Sequence, residues 1–310
     1  MESKEQQVNK LVQKLPEHSN ELLNSELAVL SDLNDEGLKA FRQSWGSIDA
    51  GQRLNLISRL VSISEEDFIL DFTGIFKIGL EDPEEKIRIK ALEGLELEDK
   101  YVFAPLVIKV LKADESEEVR TAAARTLGKF ALLSELGDFP EVIGQDISEA
   151  LMKVLENPAE PISIRRRALE AIAPFHDEVV EQYIEDYYHS EDPRVKASAI
   201  YAMGLNCDSR WLSFLISEMQ NSLAEIRYEA AQASGQVGDE EAVPYLLKLL
   251  EDEDPEVQEA AIASLGKIGG KQAKQTLQKL ARDPNNRIKE AAKTALTELS
   301  ACEDPLSLNF

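Results

Sequence analysis

Cysteine is nearly missing from this chain: the 310 residues hold two, Cys207 and Cys302. They lie far apart and form neither a CxxC pair nor a metal-ligand spacing. A disulfide framework and a zinc ribbon are therefore excluded, and a reduced, cytoplasmic protein is expected. Glycine (15) and proline (12) are too sparse for a disordered chain, and aromatic residues make up only 6 %. No run approaches the length of apolar residues that a membrane-spanning helix needs, so none is expected. The start, Met1-Glu2-Ser3-Lys4-Glu5-Gln6-Gln7, has no basic stretch leading into an apolar run, and no signal peptide is read there. Positive charge is also scarce. Lys and Arg number 34 against 58 Asp and Glu, a net charge of −24, with −11 falling on residues 161–255 and +1 on residues 256–310. Nucleic-acid binding depends on phosphate neutralisation by bases, and an anionic membrane would repel such a surface, so neither partner is expected.

What the chain does have is a repeat. A β-branched residue followed by a basic or polar one recurs as Ile87-Arg88, Val119-Arg120, Ile164-Arg165, Val195-Lys196, Ile226-Arg227, Val257-Gln258 and Ile288-Lys289. The spacings are 32, 45, 31, 31, 31 and 31. Alanine stands four positions after every one of these anchors: Ala91, Ala123, Ala168, Ala199, Ala230, Ala261 and Ala292. Glycine stands nine positions after four of them, as Gly128, Gly204, Gly235 and Gly266. A fixed period of this length signals stacked supersecondary units.

Each unit reads as two helices. Asp82-Pro83, Asp192-Pro193, Asp254-Pro255 and Asp283-Pro284 are start signals, with Asp as N-cap and Pro at the first helical position. The anchor and its alanine then share one face of the first helix, and the alanine marks a close approach by a neighbouring helix. A turn follows in which Asp177, Asp208 and Asp239 share one offset. A second apolar helix, such as residues 242–250, completes the pair. One pair cannot bury its apolar faces alone, so pairs must stack. The expected fold is all-α, a right-handed α-solenoid of antiparallel helix pairs. Residues 1–50 read as a helical cap, with helical patterns around 8–15 and 25–44. Residues 51–300 read as a solenoid of seven to eight repeats, beginning with a divergent one at 52–80, and residues 301–310, with Pro305, as a tail. The 45-residue spacing places an insertion near 134–147, with Gly137, Pro140 and Gly144, expected as a loop projecting from one edge.

Asp254-Pro255-Glu256-Val257 with Ala261, Leu265-Gly266-Lys267-Ile268-Gly269, and Gly238-Asp239-Glu240-Glu241-Ala242-Val243-Pro244 resemble HEAT repeats of the phycobilin-lyase-like class, over about residues 82–300. The resemblance implies a HEAT/armadillo-like superhelix. It also implies a range of activities, because this class occurs in scaffolds, adaptors, bilin lyase subunits and a few enzymes.

Catalytic signatures are absent. His18, His176 and His189 are followed by Ser19, Asp177 and Ser190, so the paired His-Glu steps used by iron hydroxylases on HEAT-like repeats do not occur. Gly266-x-x-Gly269-Gly270 falls in a repeat turn without the strand context of a phosphate loop. Arg165-Arg166-Arg167 reads as one anchor arginine with two solvated neighbours. The acids gather at first-helix starts, for example Glu84, Glu117 and Asp254, where carboxylates offset the helix dipole. Exposed lysines sit on second helices at Lys109, Lys153, Lys248 and Lys279. The remaining candidate is a ladder of rings nineteen positions after successive anchors, Tyr183, Phe214 and Tyr245, thickened by Tyr187, Tyr188 and Trp211. The expectation is a monomeric, non-enzymatic scaffold or adaptor with no cofactor and no metal. It would take a protein or peptide through Tyr183, Tyr187, Trp211, Phe214 and Tyr245. A bilin lyase or isomerase-type subunit is the alternative that the resemblance implies.

Overall fold

The computed structural model describes residues 3–18 and 21–303. Ser19, the first two residues and the tail beyond Glu303, with Pro305, lie outside the described residues, as do the side chains of His18 and Cys302. Among the described residues there are helices and turns but no strand. The chain divides into two compact units, Met1–Ile164 and Arg165–Phe310.

The first unit holds α1 (Lys4–His18), α2 (Asn24–Leu27), α3 (Asp35–Trp45), α4 (Ala50–Glu66), α5 (Thr73–Gly79), α6 (Glu85–Glu96), α7 (Ala104–Ala113), α8 (Glu117–Glu135) and α9 (Glu141–Glu156). α10 (Ile162–Ile172) begins at the boundary and leads into the second unit. There follow α11 (Glu178–Tyr188), α12 (Pro193–Asn206), α13 (Leu212–Glu218), α14 (Ala224–Val237), α15 (Val243–Leu249), α16 (Pro255–Ile268), α17 (Gly270–Leu280) and α18 (Asn286–Glu303). First helices stack on first helices, α4 on α6 on α8 in one unit and α12 on α14 on α16 on α18 in the other. First helices also pack on the second helix of the preceding pair, as α6 does on α5 and α14 on α13. This is the α-solenoid of antiparallel helix pairs that the repeat predicts.

The anchors form the core. All seven are buried, and all seven alanines four positions later have no exposed surface. Removing such side chains from water stabilises the stack by about 2 kcal/mol for each anchor. First helices also approach one another closely at the glycines five positions further on. A Cβ at Gly204 would stand 2.8 Å from the Cα of Ala233, one at Gly235 2.9 Å from the Cα of Ser264, and one at Gly266 3.0 Å from the Cα of Ala295.

The basic residue after the anchor ties neighbouring repeats together. Arg88 grips Asp114 with Nε and Nη2, both at 2.8 Å, and donates Nη1–H to the carbonyls of Asp82 and Pro83. Arg227 repeats the arrangement on Asp252, at 2.7 Å from each nitrogen, and on the carbonyls of Asn221 and Ser222. Asp82 is buried and accepts from Arg53 and from the Trp45 indole.

Two expectations need correction. Asp192 and Asp254 do cap α12 and α16, with Pro at the first helical position. Asp82 and Asp283 do not cap: α6 starts at Glu85 and α18 at Asn286. The offset decides. A cap lies three residues before the anchor, whereas Asp82 and Asp283 lie five before it, in the turn, where an aspartate braces the backbone or receives the arginine. The extra length near 134–147 is likewise not a projecting loop. α8 extends to 19 residues against 12 for α6, α9 has 16, and only residues 136–140 connect them. Phe139 in that connection is buried against Phe130 and Tyr101, and Gly144 and Ile147 are buried within α9.

Candidate functional site

The second helices of the C-terminal unit carry the candidate rings. α11 opens on Asp177, whose carboxylate accepts from the amide of Val179; Asp208 and Asp239 do the same for Arg210 and Glu241 at the next two turns. Each shared aspartate therefore starts its second helix in the same register, which brings Tyr183, Phe214 and Tyr245 to equivalent positions. All three are half-buried. Lys248 stands exposed one turn from Tyr245, its ammonium 5.1 Å from the ring centroid.

The other two expected contact residues belong to the interior. Trp211 is 2 % exposed, and its indole N–H donates to Oδ1 of Asn206, which in turn donates to the Ala173 carbonyl. Tyr187 is buried beneath the guanidinium of Arg165, 5.7 Å from its ring, and burial pushes its phenol up. Neither can offer contact area to a partner while the helix pair is closed. The reason is the helical wheel: Trp211 holds the place of the buried Val180, Ala242 and Ala273. Phe214 does not stack on Tyr183 or Tyr245. It meets Tyr188 edge-on at 5.1 Å and Trp211 at 5.9 Å.

Tyr188 belongs to a polar network that the spacing alone did not reveal. Its hydroxyl donates to Oε1 of Glu218 at 2.7 Å, Lys196 approaches the same oxygen at 2.6 Å, and Asn221 donates to Oε2 at 2.6 Å. The Lys196 ammonium also lies 4.6 Å from the Tyr188 ring centroid. Burial opposes the charge of Glu218, yet the bonds from Lys196, Tyr188 and Asn221 hold its carboxyl below the usual range. Burial and the bond to that carboxylate push the Tyr188 phenol far up. One signal existed in the sequence. The anchor-plus-one residue here is Lys196, and the next turn has Asn221 where Asp114 and Asp252 stand elsewhere, so the cation had to find another acid.

Elsewhere, the Cys207 thiol rests 3.1 Å from the Gly204 carbonyl oxygen, and desolvation pushes it up, away from the thiolate form. Among the described residues no group of three His, Cys, Asp or Glu side chains is placed to hold a metal ion, and no helix is long and apolar enough to cross a membrane.

Two family models match this chain, one described as HEAT repeats over residues 212–297 and one as HEAT repeat over residues 103–133. The chain carries HEAT repeats. Solved HEAT-type structures are similar along nearly its whole length. Kap95p, in a structure describing its effect on RanGDP, is 14 % identical with a TM-score of 0.50, over 96 % of this chain and 47 % of that one. Importin beta gives 14 % identity and 0.50, over 93 % of this chain and 46 % of that one. Human deoxyhypusine hydroxylase gives 18 % and 0.37, over 96 % and 97 %. At these identities the likeness concerns the fold, and this chain spans about half the length of the two transport proteins. No curated protein sequence matches it.

Proposed function

We propose that this chain is a non-enzymatic protein-interaction scaffold that takes a protein or peptide along the second helices of its C-terminal HEAT repeats. The observation that carries the reading is the set of half-buried rings at Tyr183, Phe214 and Tyr245, equally spaced on α11, α13 and α15 with Lys248 beside the last. Rings half in contact with their own helix pair lose little freedom on binding and still offer an apolar face, which suits them as interface anchors. The solved complexes of Kap95 with RanGDP and with Nup1 illustrate the same fold used for protein partners. A cytoplasmic location and a monomeric state go with this reading.

The test is affinity capture from the native host with quantitative mass spectrometry, comparing the natural chain with a Tyr183→Ala, Tyr245→Ala variant. Phe214 is left in place because Tyr188 and Trp211 pack on it. A specific partner should fall by about tenfold on the variant, as loss of anchor side chains at an interface does. Equal recovery by both proteins, with unchanged circular dichroism, would remove the ring assignment.

A further inference from the structure

The N-terminal unit carries a second unclaimed surface, along the turns that join first helices to second helices. Three successive turns lie side by side: residues 67–72 between α4 and α5, residues 97–103 between α6 and α7, and residues 136–140 between α8 and α9. Lys100 bridges the first two through Asp71 at 2.9 Å, and Tyr101 joins the second to the third through its edge-on contact with Phe139, 6.0 Å between centroids. Large apolar side chains stand out from each turn into solvent. Phe68 is 87 % exposed and Ile69 90 %, and Tyr101, Val102, Leu136 and Val142 are also exposed.

The solenoid itself does not require this. The corresponding turns of the C-terminal unit, around Asp177, Asp208 and Asp239, are short and polar, and the large apolar residue exposed at them is Val179 alone among the described residues. Contiguous exposed apolar side chains of this kind mark interaction surfaces. Their charge setting is one-sided. Residues 60–72, 97–104 and 131–145 together contain nine carboxylates and one base, Lys100. That lysine is already held by Asp71 and Glu98, and Lys129, reaching in from α8, is held by Asp99. Glu65, Glu66, Glu135 and Asp138 are exposed and have no cation partner among the described residues.

We propose that this edge of the N-terminal unit docks a basic amphipathic helix, whose apolar stripe covers Phe68, Ile69 and Val102 while its lysines or arginines meet the surrounding carboxylates. An apolar centre selects a helix with a continuous stripe, and the acidic rim selects its flanking charge. The idea extends the scaffold reading to a different surface, and the two fail separately because their side chains lie in different units.

The probe is a fluorescein-labelled helical peptide of about 18 residues with leucines at i, i+3, i+4 and i+7 and lysines on the flanks. Anisotropy is read on the full chain at about 0.05 M and about 0.3 M salt. Comparison peptides carry glutamate for lysine, or serine in place of the leucine stripe. The lysine–leucine peptide should bind; the glutamate peptide should not, and the serine-stripe peptide should bind about tenfold more weakly. Phe68→Ser with Ile69→Ser should weaken binding by about tenfold at both salts, without changing the melting temperature, since both side chains are solvent-exposed. Glu65→Gln with Glu66→Gln should weaken it chiefly at low salt. Tyr183→Ala with Tyr245→Ala, and Glu240→Gln with Glu241→Gln, should leave it unchanged. The proposal is overturned if the serine-stripe peptide binds as well as the leucine one, if the C-terminal substitutions weaken binding as much as the N-terminal ones, or if the Phe68 and Ile69 changes have no effect. It is also overturned if the chain self-associates and those two changes make it monomeric, because the edge would then belong to a second copy.

Discussion

Cys207 takes up a left-handed backbone conformation, φ 55°, at the position where the next two repeats have Gly238 and Gly269, at 76° and 72°. A side chain there costs about 1 kcal/mol that glycine avoids. Cys207→Gly should therefore raise the stability of the chain by about that amount in urea titration, although it removes a thiol that rests on the Gly204 carbonyl. A second residue-scale effect concerns Glu229 on α14. Burial, with the carboxylates of Glu170 and Glu225 nearby and Arg167 only partly offsetting them, pushes its carboxyl from 4.5 up to about 7. Between those values the folded chain holds a proton that the unfolded chain has released, so stability falls as pH rises through the window and stays low above it. Glu229→Gln should stabilise the protein at pH 8 by on the order of 2 kcal/mol and should have little effect near pH 4. Melting curves of both proteins across that range check the sign.

At the scale of the helix pair, inter-repeat ties make adjacent elements depend on one another. Arg227 is nearly buried, and its guanidinium serves one carboxylate and two backbone carbonyls at once. Its removal leaves Asp252 as an unpaired carboxylate in a half-closed turn. Arg227→Met should cost about 3 kcal/mol in equilibrium unfolding, and Arg227→Lys should recover little of it, because an ammonium cannot reproduce the planar fork. Much of this level was legible before the structure. Alanine four residues after each anchor announced the buried face, and the shared Asp177, Asp208 and Asp239 announced the second-helix starts. The glycines at 204, 235 and 266 add a further close contact with the next first helix, at a crossing point set by tilt and not by period. The insertion was misread because Gly137 and Pro140 are turn formers, and a five-residue turn between two lengthened helices uses the same residues as a long loop.

Over the whole chain, the stacking of helix pairs within each unit followed from period and binary pattern, while the surfaces did not. Side-chain exposure depends on which neighbour covers a residue, and the sequence ranked Trp211 with Tyr183 although the structure buries one and leaves the other half-open. It gave no warning of Phe68 and Ile69 either, since an apolar pair in a turn reads the same whether it tucks inward or stands in water. The glycine contacts of the C-terminal unit carry a further consequence for how such a chain can change in length. Gly204, Gly235 and Gly266 each press against the next first helix at steps of 31 residues. A gain or loss of any other number within one of these helices would carry a side chain to a position where the next backbone leaves no room for a Cβ. Length changes that keep these three glycines in place are thus whole repeats, or changes confined to the turns between the helices.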